Sequence, residues 1–550
     1  MTMERRAGWG RQRPGSTFLA AVLSIALVGF PASAHAVPDP VPCVPIPAVS
    51  DHCPTWEGLY GSGTDRQTAN DLVVSEDGSA VYVVGQVMNA VTANRDLAVV
   101  AYSSSTGEQL WMSTYDGPAG YADEATRVAV GPQGRIYVTG RSQTTTDGNA
   151  GNEVLTICFE PNGVRRWVSR YTAEGIDDQP TGLAVSADSP GVAGGLVFVG
   201  STSSRREGVD AVGRVAVTIA YDADSGAQVW TSAYSAFTPP GGGGLNLSSE
   251  VAVSPDGARV YTTGMSLVEW IGDTSTGITA VYGHVTRALD ARTGTTEWSA
   301  QHQLPYQYPP PADLAVSPDG SSIVIAAVSK ASQDAAEDDI TTIAYEAATG
   351  GTRWVSRIPG TPAAMSCIDG RSIGFDAEVG GCNDGATAVA ISPQGTHAYV
   401  TGTIRSGDAE ARNYVTASYD LATGARSWLA TYDGSSKRLD GATDMAVGQD
   451  GSIYVTGSSG SVGADYYAVQ STLGYASDDY ATIAYSPTGD RLWISRVDGP
   501  AGYSDAARAI ATSPDGSQVF VTGSMATSDT SDTSRVGVYG TAFGTLGYPA

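Results

Sequence analysis

A chain of 550 residues in which 57 Asp and Glu outnumber 31 Lys and Arg carries a formal net charge of −26. Such a chain is a poor partner for nucleic acid or an anionic membrane surface, because both demand a basic patch that releases counterions; cations suit it better. Only five Cys and five His occur, and no His stands in a metal-protease spacing such as HExxH.

From the N-terminus, Arg5, Arg6, Arg11 and Arg13 precede an apolar run over 18–30, and Ala34 and Ala36 supply the small-residue pattern for cleavage before Val37. This predicts a signal peptide over 1–36, an N-terminal extension over 37–54, and a secreted, extracellular or cell-surface protein. Arg5 and Arg6 sit far from the apolar run, which favours the general export route over the twin-arginine route. Loss of the leader would take the charge from −26 to about −29. No other stretch is apolar and long enough to span a bilayer. In an oxidising exterior Cys43 with Cys53, and Cys367 with Cys382, are near enough in sequence to close local disulfide loops, while Cys158, in an apolar strand pattern, reads as a buried thiol.

From residue 55 onward self-similarity dominates. Trp56, Trp111, Trp167, Trp230, Trp298, Trp354, Trp428 and Trp493 each open a short segment such as Trp111-Met-Ser-Thr-Tyr115. A loop follows, then an alternating run that ends in a tight turn, as in Glu250-Val-Ala-Val-Ser-Pro-Asp-Gly257, where Pro and Asp before Gly fit a type I turn. A second strand comes at once, as in Ile136-Tyr-Val-Thr-Gly140 and Ile453-Tyr-Val-Thr-Gly457, and a third after a variable loop, as in Tyr480-Ala-Thr-Ile-Ala-Tyr485. A short Gly turn then leads to the next Trp. Each unit is four strands, the size of one propeller blade.

The inner-strand motif recurs eight times, beginning at Leu72, Val128, Leu183, Val251, Leu314, Val389, Met445 and Ile510. The last unit lacks its Trp segment, while Trp56 stands before the first. The fold expected over 55–546 is therefore all-β: an eight-bladed β-propeller of four-stranded antiparallel blades, its N-terminal strand completing the last blade. Ring closure leaves few sheet edges for pairing, so a monomer is expected.

The stretch Ala288-Leu-Asp-Ala-Arg-Thr-Gly-Thr-Thr-Glu-Trp298 resembles the tryptophan-docking motif of pyrroloquinoline-quinone (PQQ) dehydrogenases and their non-catalytic relatives, and 101–111, 220–230 and 344–354 keep its Ala, Gly and Trp spacing. The shorter units 158–167 and 484–493, with Asp505-Ala-Ala-Arg-Ala-Ile-Ala-Thr512, look more like the bacterial SBBP-type β-propeller repeat. In both families, the resemblance implies, the Trp packs blade against blade, so the eight Trp are assigned to structure rather than to a cofactor or sugar platform.

Strand direction alternates, so the short Pro-Asp-Gly and Thr-Gly turns fall on one face. The connections after the second and fourth strands fall on the other, where all the length variation lies. That face would carry Trp270, Tyr306, Tyr308, Tyr466 and Tyr467, assigned as candidate ligand-binding residues for a protein or glycan partner. Two crossovers, Asp116-Gly-Pro-Ala-Gly-Tyr-Ala-Asp123 and Asp498-Gly-Pro-Ala-Gly-Tyr-Ser-Asp505, pair carboxylates with backbone carbonyls. Asp116, Asp123, Asp498 and Asp505 are candidate Ca²⁺ ligands, although such aspartates more often cap a loop by accepting backbone N–H groups.

The reading that results is a non-catalytic binding or scaffold propeller. The alternative is a PQQ-dependent dehydrogenase oxidising alcohols or sugars. The resemblance implies for such enzymes a disulfide between adjacent cysteines and a Ca²⁺ site, and this chain has no adjacent Cys pair and no CxxCH for a covalent haem. Gly370-Arg-Ser-Ile-Gly374 matches a nucleophile-elbow string but lies in a Cys-bounded crossover, not at a strand-to-helix turn. No catalytic residue is assigned.

Overall fold

In the computed structural model the alternating segments form strands. β1 (Trp56–Tyr60) is followed by β2 (Thr68–Val74), β3 (Ala80–Met88), β4 (Arg95–Ser103) and β5 (Gln109–Tyr115), the last four paired antiparallel in that order. The meander repeats as β6–β9 (123–171), β10–β13 (177–234), β14–β17 (246–306), β18–β21 (313–358), β22–β25 (385–432), β26–β29 (440–497) and β30–β32 (506–549). β1 pairs with β32, Trp56 opposite Gly547, so the last sheet also has four strands. The innermost strand of each sheet contacts that of the next, and β30 returns to β2. The molecule is thus an eight-bladed β-propeller closed as the sequence predicts, its last strand running to Pro549 rather than ending at 546. The structure describes residues 52–61, 66–89, 91–92, 94–144, 151–173, 177–187, 194–206, 212–235, 245–273, 277–306, 313–330, 338–359, 384–405, 412–434, 440–460, 478–500, 504–528 and 540–550, all within one unit, Pro40–Ala550. Cys53 is disulfide-bonded and Cys158 is a buried free thiol; Cys43, Cys367, Cys382 and the leader lie outside the described residues.

Burial follows from the blade geometry. The second and third strands of a blade are covered on both faces by neighbouring blades. Val81-Tyr82-Val83-Val84 and Leu97-Ala98-Val99-Val100 are accordingly apolar on consecutive positions and fully buried. The outermost strand meets solvent and shows exposed positions such as Gln109 and Leu110.

The tryptophans lock each blade to the next. The indole N–H of Trp56, Trp167, Trp230, Trp298 and Trp354 donates to the carbonyl of Ser104, Ala223, Ala291, Ala347 and Leu421, each in the last turn of the following blade. Trp111 and Trp428 reach Pro161 and Pro487 in the same way. The ring then lies flat on the glycine of that turn. Gly294 has φ 71° and a Cβ there would sit 2.5 Å from Trp230; Gly350 on Trp298 and Gly424 on Trp354 are equivalent. The spacing of Ala, Gly and Trp in the docking motif is therefore a packing requirement, with Gly needed both for its left-handed backbone and for the room it leaves.

The other recurrent glycine ends the Tyr-Val-Thr-Gly strands and has a different cause. A β-bulge interrupts the first strand pair of seven blades, between Ala69 and Asp71, Ala125 and Arg127, Pro180 and Gly182, Ser248 and Glu250, Ala386 and Ala388, Ala442 and Asp444, and Ala507 and Ala509. In six of them a carbonyl of the bulged strand presses against the facing glycine: Cβ atoms at Gly85, Gly140 and Gly264 would lie 1.9 Å from it, and at Gly402, Gly457 and Gly523 2.0 Å. The bulge re-aims the residue that follows it.

Candidate functional site

Blade 4 departs most from the repeat. β15 (Arg259–Asp273) and β16 (Gly277–Asp290) are 15 and 14 residues long, whereas β3 and β4 have 9 each. This hairpin extends on the face of the second-to-third-strand connections. Trp270 pairs with Ala280 there, and Tyr306, at the end of β17 (Thr296–Tyr306), pairs with Tyr282, so both assigned aromatics belong to the same end of one blade. Tyr308, Tyr466 and Tyr467 lie outside the described residues.

The aspartates of the crossovers form caps. Asp123 accepts the Gly117 N–H at 2.6 Å, Asp440 that of Gly434 at 2.7 Å, and Asp505 those of Gly499 at 2.5 Å and Ala526 at 2.7 Å. The glycine after the first Asp is needed because the carboxylate occupies its side-chain space: a Cβ on Gly117 would lie 2.8 Å from Asp123 Oδ1. Burial pushes Asp123 up to about 6 and Asp505 up to about 8. Backbone N–H groups take one oxygen of Asp123 and of Asp440 and both oxygens of Asp505, and among the described residues no group of three or more His, Cys, Asp or Glu is placed to hold a metal ion.

A site that sequence reasoning did not assign lies inside the ring of innermost strands. The residue before each inner-strand motif is Asp71, Arg127, Gly182, Glu250, Asp313, Ala388, Asp444 and Ala509, in blade order, and all but Gly182 and Ala388 line one cavity. A cavity of about 240 Å³ is lined by Asp71, Arg127, Glu250, Asp313, Asp444 and Arg508, together with Asn70 and the hydroxyl side chains of Ser249, Thr387 and Thr443. Three of the aspartates bridge neighbouring blades. Asp71 accepts the N–H of Leu72 and of Val128, Asp313 those of Leu314 and Val389, and Asp444 those of Met445 and Ile510, all between 2.7 and 2.9 Å.

The third blade has Gly182 where those blades have Asp. Its counterpart acceptor comes from the following blade: Glu250 Oε1 takes the N–H of Val251 at 2.9 Å, and a Cβ on Gly182 would lie 2.4 Å from that oxygen. Four carboxylates thus surround the axis although only three aspartates do. Burial pushes Asp71 and Asp313 up to about 6, Asp444 to about 7 and Glu250 to about 8. Burial also opposes the charge on Arg127, but Glu250, Asp71, Asp313 and Asp444 outweigh it and raise its pKa. Arg127 and Glu250 lie 3.9 Å apart, with side chains 44% and 20% exposed, so the cavity is open to solvent. The one sequence signal was the recurrence of Asp before an apolar residue at 71, 313 and 444.

No family model and no curated protein matches the chain. Among solved structures it is similar to a quinohemoprotein alcohol dehydrogenase from Pseudomonas putida, at 15% identity and TM-score 0.49, over 90% of this chain and 76% of that one. It is also similar to the quinohemoprotein alcohol dehydrogenase of Comamonas testosteroni, at 14% identity and TM-score 0.44, over 89% and 76%. A third likeness is to the structure described as the Dos1 propeller, at 10% identity and TM-score 0.47, over 90% and 94%.

Proposed function

We propose that this chain is an exported binding or scaffold propeller of the tryptophan-docking repeat type, which engages an extracellular protein or glycan through the face carrying its variable connections. The observation that carries this reading is the blade-4 hairpin. The repeat residues are engaged in packing one blade on the next, whereas β15 and β16 extend well beyond the strand lengths that closure of the ring requires and carry Trp270 near their far end, with Tyr306 at the end of β17 beside the base of the extension. A rigid frame with aromatic residues on one variable face suits recognition of a partner.

A glycan array probed with the chain from residue 37 onward tests it. Specific signals that fall by about tenfold or more on Trp270→Ala or Tyr306→Ala, with the unfolding midpoint unchanged, would support the face as the binding surface. Signals indifferent to both substitutions would place recognition elsewhere. The quinone alternative has its own readout, dye-linked oxidation of alcohols or sugars after addition of PQQ and Ca²⁺.

A further inference from the structure

We propose that the axial cavity is a second, independent binding site, for a small zwitterion of the amino-acid type. Three features of the cavity lead there. It has room for a small molecule, about 240 Å³, and of its lining residues Ala509 is the apolar one. Its carboxylates are fixed in place before any ligand arrives, because Asp71, Asp313 and Asp444 are each held by two backbone N–H groups. A carboxylate has about four acceptor sites, so each can still accept a hydrogen bond from the cavity.

Arg127 supplies the opposite requirement. Among the described residues its guanidinium makes one hydrogen bond, from Nη1 to the Thr126 carbonyl at 3.0 Å, and one loose ion pair, Nε to Glu250 at 3.9 Å. A guanidinium has five N–H donors. Most of those on Arg127 are thus directed to solvent in the cavity rather than to protein acceptors. Arg508 lines the same space. A ligand matched to this lining offers a carboxylate to Arg127 and a protonated amine to the surrounding acids. A lone anion would leave the acids unsatisfied, and a lone cation would leave Arg127 so. Metal ions are disfavoured because the carboxylates stand around the cavity rather than converging.

Isothermal titration of the folded chain with L-serine, acetate, methylammonium and glycerol tests this. L-serine is expected to bind at one site per chain, about tenfold or more tighter than acetate or methylammonium, with glycerol silent. Thr387→Trp, made at an exposed position on the cavity wall, should fill the space and abolish the heat while the unfolding midpoint stays put. Arg127→Gln should weaken L-serine by at least about tenfold. Absence of heat with L-serine, equal binding of acetate or methylammonium, or L-serine binding retained in Thr387→Trp would each overturn the assignment. Because these ligands and substitutions leave the loop face untouched, failure here and failure of the binding-face reading are separate results.

Discussion

Gly182 and Glu250 show most clearly how a single residue is governed by its neighbours. The N–H of Val251 occupies the position at which Val128, Val389 and Ile510 receive an aspartate from the preceding blade, and glycine at 182 leaves it without one. The longer side chain of Glu250 folds back to fill the gap. Glu250→Ala should therefore cost about 1–3 kcal/mol by leaving that N–H unpaired. Gly182→Asp should destabilise in both backgrounds, since its Cβ would lie 2.4 Å from Glu250 Oε1 and 2.7 Å from the Val251 nitrogen, but by less in Glu250→Ala, where the first clash is gone. Urea unfolding of the four proteins measures this as a coupling, and strictly additive effects would show that the two positions do not meet. The same packing logic applies to the turn glycines. Gly294→Ala combines a left-handed backbone with a clash on Trp230 and should cost about 2 kcal/mol or more.

Among the elements, the eighth blade is where the chain ends must meet. Trp493 faces a gap, because the turn on which every other Trp rests is absent between β32 and β1. His52 fills it: its ring stacks on Trp493 at 4.4 Å and 15°, and its Nε2 lies 2.7 Å from the Pro549 carbonyl, to which a protonated nitrogen donates. Trp56 then performs for the first blade what the other Trp do for theirs. Trp56→Ala should cost about 3–5 kcal/mol, as for a large buried aromatic, and His52→Ala a smaller amount, both read from denaturant midpoints. A loss below about 1 kcal/mol for Trp56→Ala would mean that β1 is not needed to close the ring.

The strands, their number and this closure were legible in the sequence because each rests on local signals: alternation, the Pro-Asp-Gly turn, and the tryptophan that has to find a glycine. The axial site was not. Asp71, Asp313 and Asp444 each stand one residue before an ordinary inner-strand motif, and only the closing of the ring, which no local signal encodes, brings them to one cavity. Nor does the sequence distinguish an acid that binds a cation from one that caps a loop. Asp123 and Asp505 fitted either description in the sequence, and only the structure shows the backbone N–H groups that reach them at short distance.

For the whole molecule the buried acids set the pH response. Asp71, Asp123, Asp313, Asp478 and Glu57 are raised to about 6, Asp444 to about 7, and Glu250 and Asp505 to about 8, each chiefly by burial. A folded-state pKa above the unfolded one favours the folded, protonated form. That contribution is complete below the unfolded carboxylate range and is lost as pH rises through 6 to 8. Turn aspartates work the other way: Asp77 and Asp515 are lowered to about 2 by their serine partners, so their contribution is lost only as pH falls toward 2. His284, lowered to about 4 by burial, removes some stability below its ordinary range. The eight acids outnumber it, and the net charge of −26 adds repulsion as pH rises. Thermal unfolding midpoints should therefore climb from pH 8 to pH 5 and fall again in stronger acid; a midpoint that rises with pH between 5 and 8 would contradict the burial of these carboxylates.

The same division runs through the molecule at large: repeat residues hold the ring, and what departs from the repeat is free to recognise a partner. The most direct test shortens the blade-4 hairpin by replacing residues 268–280 with a two-residue turn and compares unfolding and glycan-array binding with the parent chain. The expected result is an unfolding midpoint within about 2 °C of the parent together with loss of the specific binding signal. Collapse of the fold would mean that the hairpin belongs to the frame, and binding that survives its removal would contradict the assignment of the face it extends.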